Sequence, residues 1–189
     1  MVEDALARGL LTAVFALTAA WFTGHGIRGG SWADRVCDAF HVVMSLSMVA
    51  MAWPWGTAVP VIPQVVVFAA ASVWFVLMAV LPPDRPSRHR EHSDRGAWLP
   101  WLHVVMMVAM VWMLLAMPAL HGATAAAGPL TVLSGVAVLV LLVSGTVLSV
   151  TATVPVVTGG QGGSRLPWHA AHVAMGAGMV AMVAPLLVT

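Results

Sequence analysis

Three stretches of the chain repeat one arrangement of soft and nitrogen donors. They read HVVMSLSMVAM from His41, HVVMMVAMVWM from His103 and HVAMGAGMVAM from His172, each of the form H-x2-M-x3-M-x2-M. The donors are His41, Met44, Met48 and Met51; His103, Met106, Met110 and Met113; and His172, Met175, Met179 and Met182. Thioether sulfur is neutral, polarisable and a poor partner for hard ions, and together with imidazole it suits Cu(I). In apolar surroundings the pairing has an advantage over carboxylates. Methionine is a hydrophobe when no ion is present, whereas a buried carboxylate is costly. On a helix the four donors of each copy advance by about 0°, 300°, 340° and 280°, so they share one narrow stripe. The three Met levels then stand about 4.5, 10.5 and 15 Å beyond the His level.

Further ligand types gather one turn before the repeated histidines. Cys37 and Asp38 precede His41, and His169 precedes His172. His41, His103, His169 and His172 with Asp38 and Cys37 thus form a candidate inner site at one end of the stripes. That nitrogen- and oxygen-rich set also admits Zn(II), which takes His and Asp ligands and activates water where one position stays open. Intramembrane zinc hydrolases are similar in placing several His and an Asp near one membrane face. Haem is a third cofactor reading, since two His, or His with Met, can ligate iron. It is disfavoured because the span histidines lie at one depth, with only His121 near the other. Ordinary packing is the alternative for the Met stripes, because Met fills gaps in apolar cores. Against it, 11 of the 13 Met fall on the three motif-bearing segments, and a His heads each stripe. No nucleophile or catalytic base is assigned.

The elements that must carry these residues follow from composition. The chain has 189 residues, 60% hydrophobic and 8% charged, with mean hydropathy +0.94. Soluble domains carry roughly 25% charged residues, so this chain reads as an integral membrane protein of the all-α class. A net charge of +1 gives no ground for a nucleic-acid partner. One cysteine precludes an internal disulfide. A bilayer needs about 20 apolar residues per helix. Six runs qualify, at about 5–24, 36–54, 58–81, 98–118, 129–152 and 168–188. No signal-peptide cleavage pattern follows the start, so the first run is expected to be a retained helix. The segment GGQGGS reads as a flexible cytoplasmic turn, and RPSRHREHSDR as a solvated loop that sets topology. His25 reads as interfacial, and Gly176 and Gly178 as packing positions.

All eight cations are Arg. Arg28, Arg35, Arg85, Arg88, Arg90, Arg95 and Arg165 lie on one side of the six spans, and Arg8 on the other. The positive-inside rule then predicts a multi-pass plasma-membrane protein with both termini extracytoplasmic. The expected fold is one membrane domain of three tandem helical hairpins, about 1–56, 57–122 and 123–189, in a pseudo-three-fold arrangement. The second helix of each hairpin carries a motif and runs in the same direction. If the stripes face a common axis, one ring of His and three rings of Met stack along it.

The segment FHVVMSLSMVAMAWPWG and the later H-x2-M motifs resemble an uncharacterised actinobacterial family of six-span membrane proteins, a domain of unknown function. That resemblance covers nearly the whole chain and implies no particular activity. A mechanistic likeness is to trimeric copper importers, which line a three-fold pore with Met rings from an M-x3-M helix. Here M-x3-M occurs as Met44–Met48, Met106–Met110 and Met175–Met179, within one polypeptide and with no Met-rich outer domain. The expected function is Cu(I) binding and passage across the bilayer, with a cytoplasmic or extracytoplasmic copper carrier as partner.

Overall fold

The computed structural model describes residues 4–28, 30–81, 98–121, 128–158 and 162–187. It is all-helical over those residues, with six long helices and no strand. They are α1 (Ala5–Ile27), α2 (Trp32–Ala52), α3 (Val61–Val80), α4 (Trp98–His121), α5 (Pro129–Thr158) and α6 (Gly162–Leu186). A short 3-10 turn, Pro54–Ala58, joins α2 to α3. Four of the six, α1, α2, α3 and α5, are long and apolar enough to cross a membrane. Within α4 the segment Pro100–Ala116 is a shorter apolar helix by the same measure. The Arg-bearing segment 82–97, with His89 and His92, lies outside the described residues.

Local chemistry sets the helix ends, and it moves several bounds beyond the apolar runs. Asp4 caps α1 by accepting the Leu6 N–H at 2.9 Å. At the start of α2, Ser31 accepts the Asp34 N–H at 3.2 Å, while the Asp34 carboxylate accepts the Ser31 N–H at 2.9 Å. This reciprocal capping box starts α2 at Trp32, four residues before the apolar run, and brings Arg35 into the first turn. α5 runs on to Thr158, and hydroxyls near its end bond back to their own helix. Thr151 donates to the Leu148 carbonyl at 2.9 Å and Thr153 to Ser149 at 2.8 Å. Residues 162–164 of the expected glycine-rich turn belong to α6.

Sequence-adjacent helices lie side by side: α1 along α2, α3 along α4 and α5 along α6. Further contacts join α1 to α6, α4 to α5 and α4 to α6. The outward faces are apolar, with Leu10, Leu17, Ile62, Val66, Leu133 and Val140 exposed. In water such a surface would be a liability, but in hydrocarbon it is the matching solvent. Half of the most apolar window of α2 is buried (50%), against 22% for α1 and 17% each for α3 and α5. The motif-bearing helix is therefore more enclosed than the other three.

The core is built from stripes. All nine motif methionines are buried and belong to one apolar cluster. α1, α3 and α5 answer with a common register: Phe15, Thr18 and Phe22; Phe68, Ala71 and Phe75; Leu142, Gly145 and Ser149, all buried. These positions repeat at offsets of about 0, 3 and 7, one face of a helix. Two glycines of α6 permit close approach. A Cβ at Gly178 would lie 2.5 Å from the Phe15 ring, and one at Gly176 would lie 2.6 Å from the Thr146 hydroxyl. Both positions are packing devices, as the sequence indicates.

Candidate metal centre

Each repeated histidine comes from a different helix, His41 from α2, His103 from α4 and His172 from α6. All three are buried, at 0%, 2% and 2% exposure. Their ring centroids stand 4.8 Å (His41 to His103), 5.1 Å (His41 to His172) and 5.0 Å (His103 to His172) apart. The ring planes cross at 89°, 72° and 86°, so the imidazoles meet edge to face. One ligand atom from each lies within 4.8 Å of the other two.

Backbone geometry selects which atoms point inward. His41 Nδ1 donates to the Cys37 carbonyl at 2.7 Å, and His172 Nδ1 donates to the Trp168 carbonyl at 2.8 Å. A carbonyl only accepts, so each of these Nδ1 atoms carries a proton. In a neutral imidazole held this way the lone pair lies on Nε2. This is how proteins hold a metal-binding imidazole, with the far N–H anchored to a carbonyl or carboxylate. His103 Nε2 lies 3.0 Å from His172 Nε2. Three-fold imidazole ligation at about 2.0–2.1 Å sets the nitrogens about 3.5 Å apart. That spacing falls between the 3.0 Å contact and the 4.8 Å limit of the trio. The trio could therefore hold a three-coordinate ion.

Aromatic rings enclose the trio. Phe22 of α1 stacks on His41 at 4.4 Å and 17°, and meets His172 edge-on at 5.3 Å. Phe75 of α3 stacks on His103 at 4.9 Å and 16°, and meets His41 edge-on at 5.9 Å. Trp168 covers His172 at 4.1 Å. The sequence marks Trp168 only as an interfacial residue at the inner end, whereas here it is buried, and does not single out Phe22 or Phe75. A signal was present in the pairs Trp21-Phe22 and Trp74-Phe75, and in the matching spacings Phe15 to Phe22 and Phe68 to Phe75.

The other sequence candidates take distinct places. Asp38 is buried, and its carboxylate accepts a hydrogen bond from His25 Nδ1 at 2.9 Å, tying α2 to α1. His25 is thus engaged between helices in addition to lying near the end of α1. Cys37 is buried, and its Sγ accepts the Trp74 indole N–H at 3.4 Å. Its backbone carbonyl is the group that orients His41. His169 is 9% exposed and meets Trp168 edge-on at 5.2 Å. Met44, Met106 and Met175, one turn beyond the histidines, are each fully buried. So are Met48, Met110 and Met179, while Met51, Met113 and Met182 are 8%, 1% and 5% exposed. The earlier start of α2 and α6 places His41 and His172 about 13–15 Å along their helices.

An uncharacterised protein of Mycobacterium bovis is 36% identical to this chain over 119 residues, covering 62% of this chain and 52% of the relative. Uncharacterised proteins from two strains of Mycobacterium tuberculosis match to the same extent. The chain spans about half the length of these curated relatives. No solved structure matches it. The model of the DUF5134 family, a domain of unknown function, matches residues 33–186, which takes in all three histidines and all nine motif methionines, and the chain belongs to that family.

Proposed function

We propose that this protein binds Cu(I) at His41, His103 and His172 and passes it across the plasma membrane along the adjoining Met stripes. The observation that carries the reading is the buried imidazole trio, with two of its rings held by backbone carbonyls so that Nε2 faces the partner rings. Charge then favours a monovalent ion. The Born cost of burying an ion scales with the square of its charge, so Cu(I) incurs about a quarter of the penalty of a divalent ion of similar size. Neutral imidazole offsets none of that penalty with opposite charge, which sharpens the preference.

In this reading all six helices span the bilayer as three hairpins around a pseudo-three-fold axis, with both termini outside. His41, His103 and His172 form the head of the column. Met44, Met106 and Met175 form the next layer, and the remaining Met continue it outward. Weak and similar successive sites let an ion leave as well as enter. Asp38, Cys37 and His169 flank the inner end, where a copper carrier in the cytoplasm would exchange the ion.

A zinc hydrolase is the second reading, favoured by the three-histidine donor set that catalytic zinc also uses. It requires a fourth position open to water and substrate, and burial of the trio behind Phe22, Phe75 and Trp168 argues against that. Haem is weaker still, because a porphyrin between His103 and His172 needs more than their 3.0 Å separation.

The test is a Cu(I) titration of the purified protein under reducing conditions, followed by copper K-edge X-ray absorption. The first equivalent is expected on nitrogen, with sulfur scattering growing in later equivalents. Absence of Cu(I) binding, or a first equivalent indifferent to His103→Ala, would overturn the reading.

A further inference from the structure

The enclosure of the three histidines is uneven, and the unevenness follows the helix register. Phe22 and Phe75 hold the same position in the buried stripes of α1 and α3. Each packs against two imidazoles, stacked on one and steeply crossed with the next. Phe22 does so with His41 and His172, and Phe75 with His103 and His41. α5 packs against both α6 and α4, which carry the remaining pair, and at the same register it holds Ser149. Ser149 is buried, with its hydroxyl donated to the Gly145 carbonyl at 2.9 Å. Between His103 and His172 the separation closes by direct contact of the two Nε2 atoms.

Two flanks of the trio are thus walled by benzene rings with no hydrogen-bonding atom. A water molecule held in a protein takes 2–4 polar partners, and a phenyl wall supplies none. Zinc bound by three histidines keeps water as its fourth ligand. Cu(I), a closed-shell monovalent ion, is content with three donors. We propose that Phe22 and Phe75 determine metal selectivity by holding the site at three ligands. They touch the imidazoles and not the ion, so they are positioning residues. This inference rests on the Cu(I) reading of the trio and adds the basis on which the site rejects divalent ions.

The register supplies the variants. F22S and F75S install the residue that α5 already carries at this position, and Phe22→Leu keeps the wall apolar without the ring. The full-length protein in detergent would be titrated with Cu(I) against a chromophoric chelator, and separately with Co(II) as a spectroscopic substitute for Zn(II). F22S and F75S are expected to raise Co(II) affinity by about tenfold, on the order of one added hydrogen-bonded partner for a water ligand. Their Co(II) spectra should show the intense ligand-field bands of a four-coordinate site. Cu(I) affinity should not rise with that for Co(II), so the Co(II)-to-Cu(I) affinity ratio increases, and Phe22→Leu should keep the wild-type Co(II) affinity. An unchanged Co(II) affinity in folded F22S and F75S overturns the proposal. So does a Phe22→Leu protein that gains Co(II) as strongly as F22S, because packing rather than water exclusion then governs selectivity. Should F22S fail to fold, F75S decides by the same criterion. Wild-type protein that binds no Cu(I) overturns the underlying reading instead, a result distinct from any of these.

Discussion

The histidine layer and the methionine stripes occupy the same helices and the same faces, yet they are built differently. The histidines are fixed: backbone carbonyls orient two of them, three aromatic rings pack on them, and two make direct contact with each other. The methionines are simply buried among apolar neighbours. Their three free torsions leave sulfur positions adaptable. A fixed layer suits selective capture, and an adaptable one suits transient passage. In the proposed reading, one repeated motif supplies both a binding site and a path. α1 and α3 place phenyl rings at both levels, Phe22 and Phe75 on the histidines and Phe15 and Phe68 two turns further along the same stripes.

The sharpest way to break the comparison is at the fixed layer. His41→Ala removes one of three donors and should lower affinity for the first Cu(I) by more than about 100-fold, beyond the range for groups that merely support a ligand. Competition with a chromophoric chelator reads it directly. Fast uptake into proteoliposomes by a variant that no longer captures Cu(I) would detach the path from the site.

The adaptable layer is tested by replacing Met44, Met106 and Met175 together with Leu. Met-to-Leu swaps conserve volume and usually cost less than about 1.5 kcal/mol each. The three together should cost less than about 4.5 kcal/mol, so the protein should fold with a lowered thermal midpoint. Cu(I) uptake into proteoliposomes should fall about tenfold as one layer of sulfur is lost, with roughly 1.4 kcal/mol added to the barrier. The first-equivalent affinity should remain close to wild type. Unchanged uptake would return the methionines to the role of core packing.

Much of this architecture is legible in the sequence because a bilayer enforces it. Long apolar runs can only be helices, and six runs gave six helices. The bounds moved where local hydrogen bonding outweighs hydropathy, as at the Ser31–Asp34 box. Convergence of the three histidines was conditional on where the stripes face. Periodicity defines a face but not its partner, and only packing supplies that. The phenyl collar was harder to read, since an aromatic in a membrane helix is ordinarily a lipid or packing residue. Its signal is a register shared by α1 and α3, visible once burial marks Phe15, Phe22, Phe68 and Phe75 as one pattern. The His25–Asp38 pair was missed because the two residues flank a turn and meet only when α1 folds back on α2.

Gly178 sharpens the comparison within the adaptable layer. It neighbours Met179, and a Cβ there would press on the Phe15 ring. Gly178→Ala should destabilise by about 1–3 kcal/mol, the usual cost of overpacking. A detergent-unfolding or thermal assay checks this. The first-equivalent Cu(I) affinity should be unaffected, because the histidine layer lies at least one turn away along α6.

The smallest effect is expected from Ser45, which stands between Met44 and Met48 on α2. Its hydroxyl lies 3.2 Å from Thr18 on α1, a buried polar contact beside the stripe. Thr18 also donates to its own helix at the Phe15 carbonyl, 2.9 Å away. Thr18 can therefore accept from Ser45 while keeping that bond. Loss of the Ser45 hydroxyl leaves Thr18 satisfied, and interhelical hydrogen bonds in membranes average about 0.6 kcal/mol. Ser45→Ala should cost no more than that in stability and leave both capture and uptake intact. If uptake instead falls while capture is retained, the hydroxyl belongs to the path. The division between a fixed histidine layer and an all-sulfur conduit would then have to admit an oxygen donor at its first step.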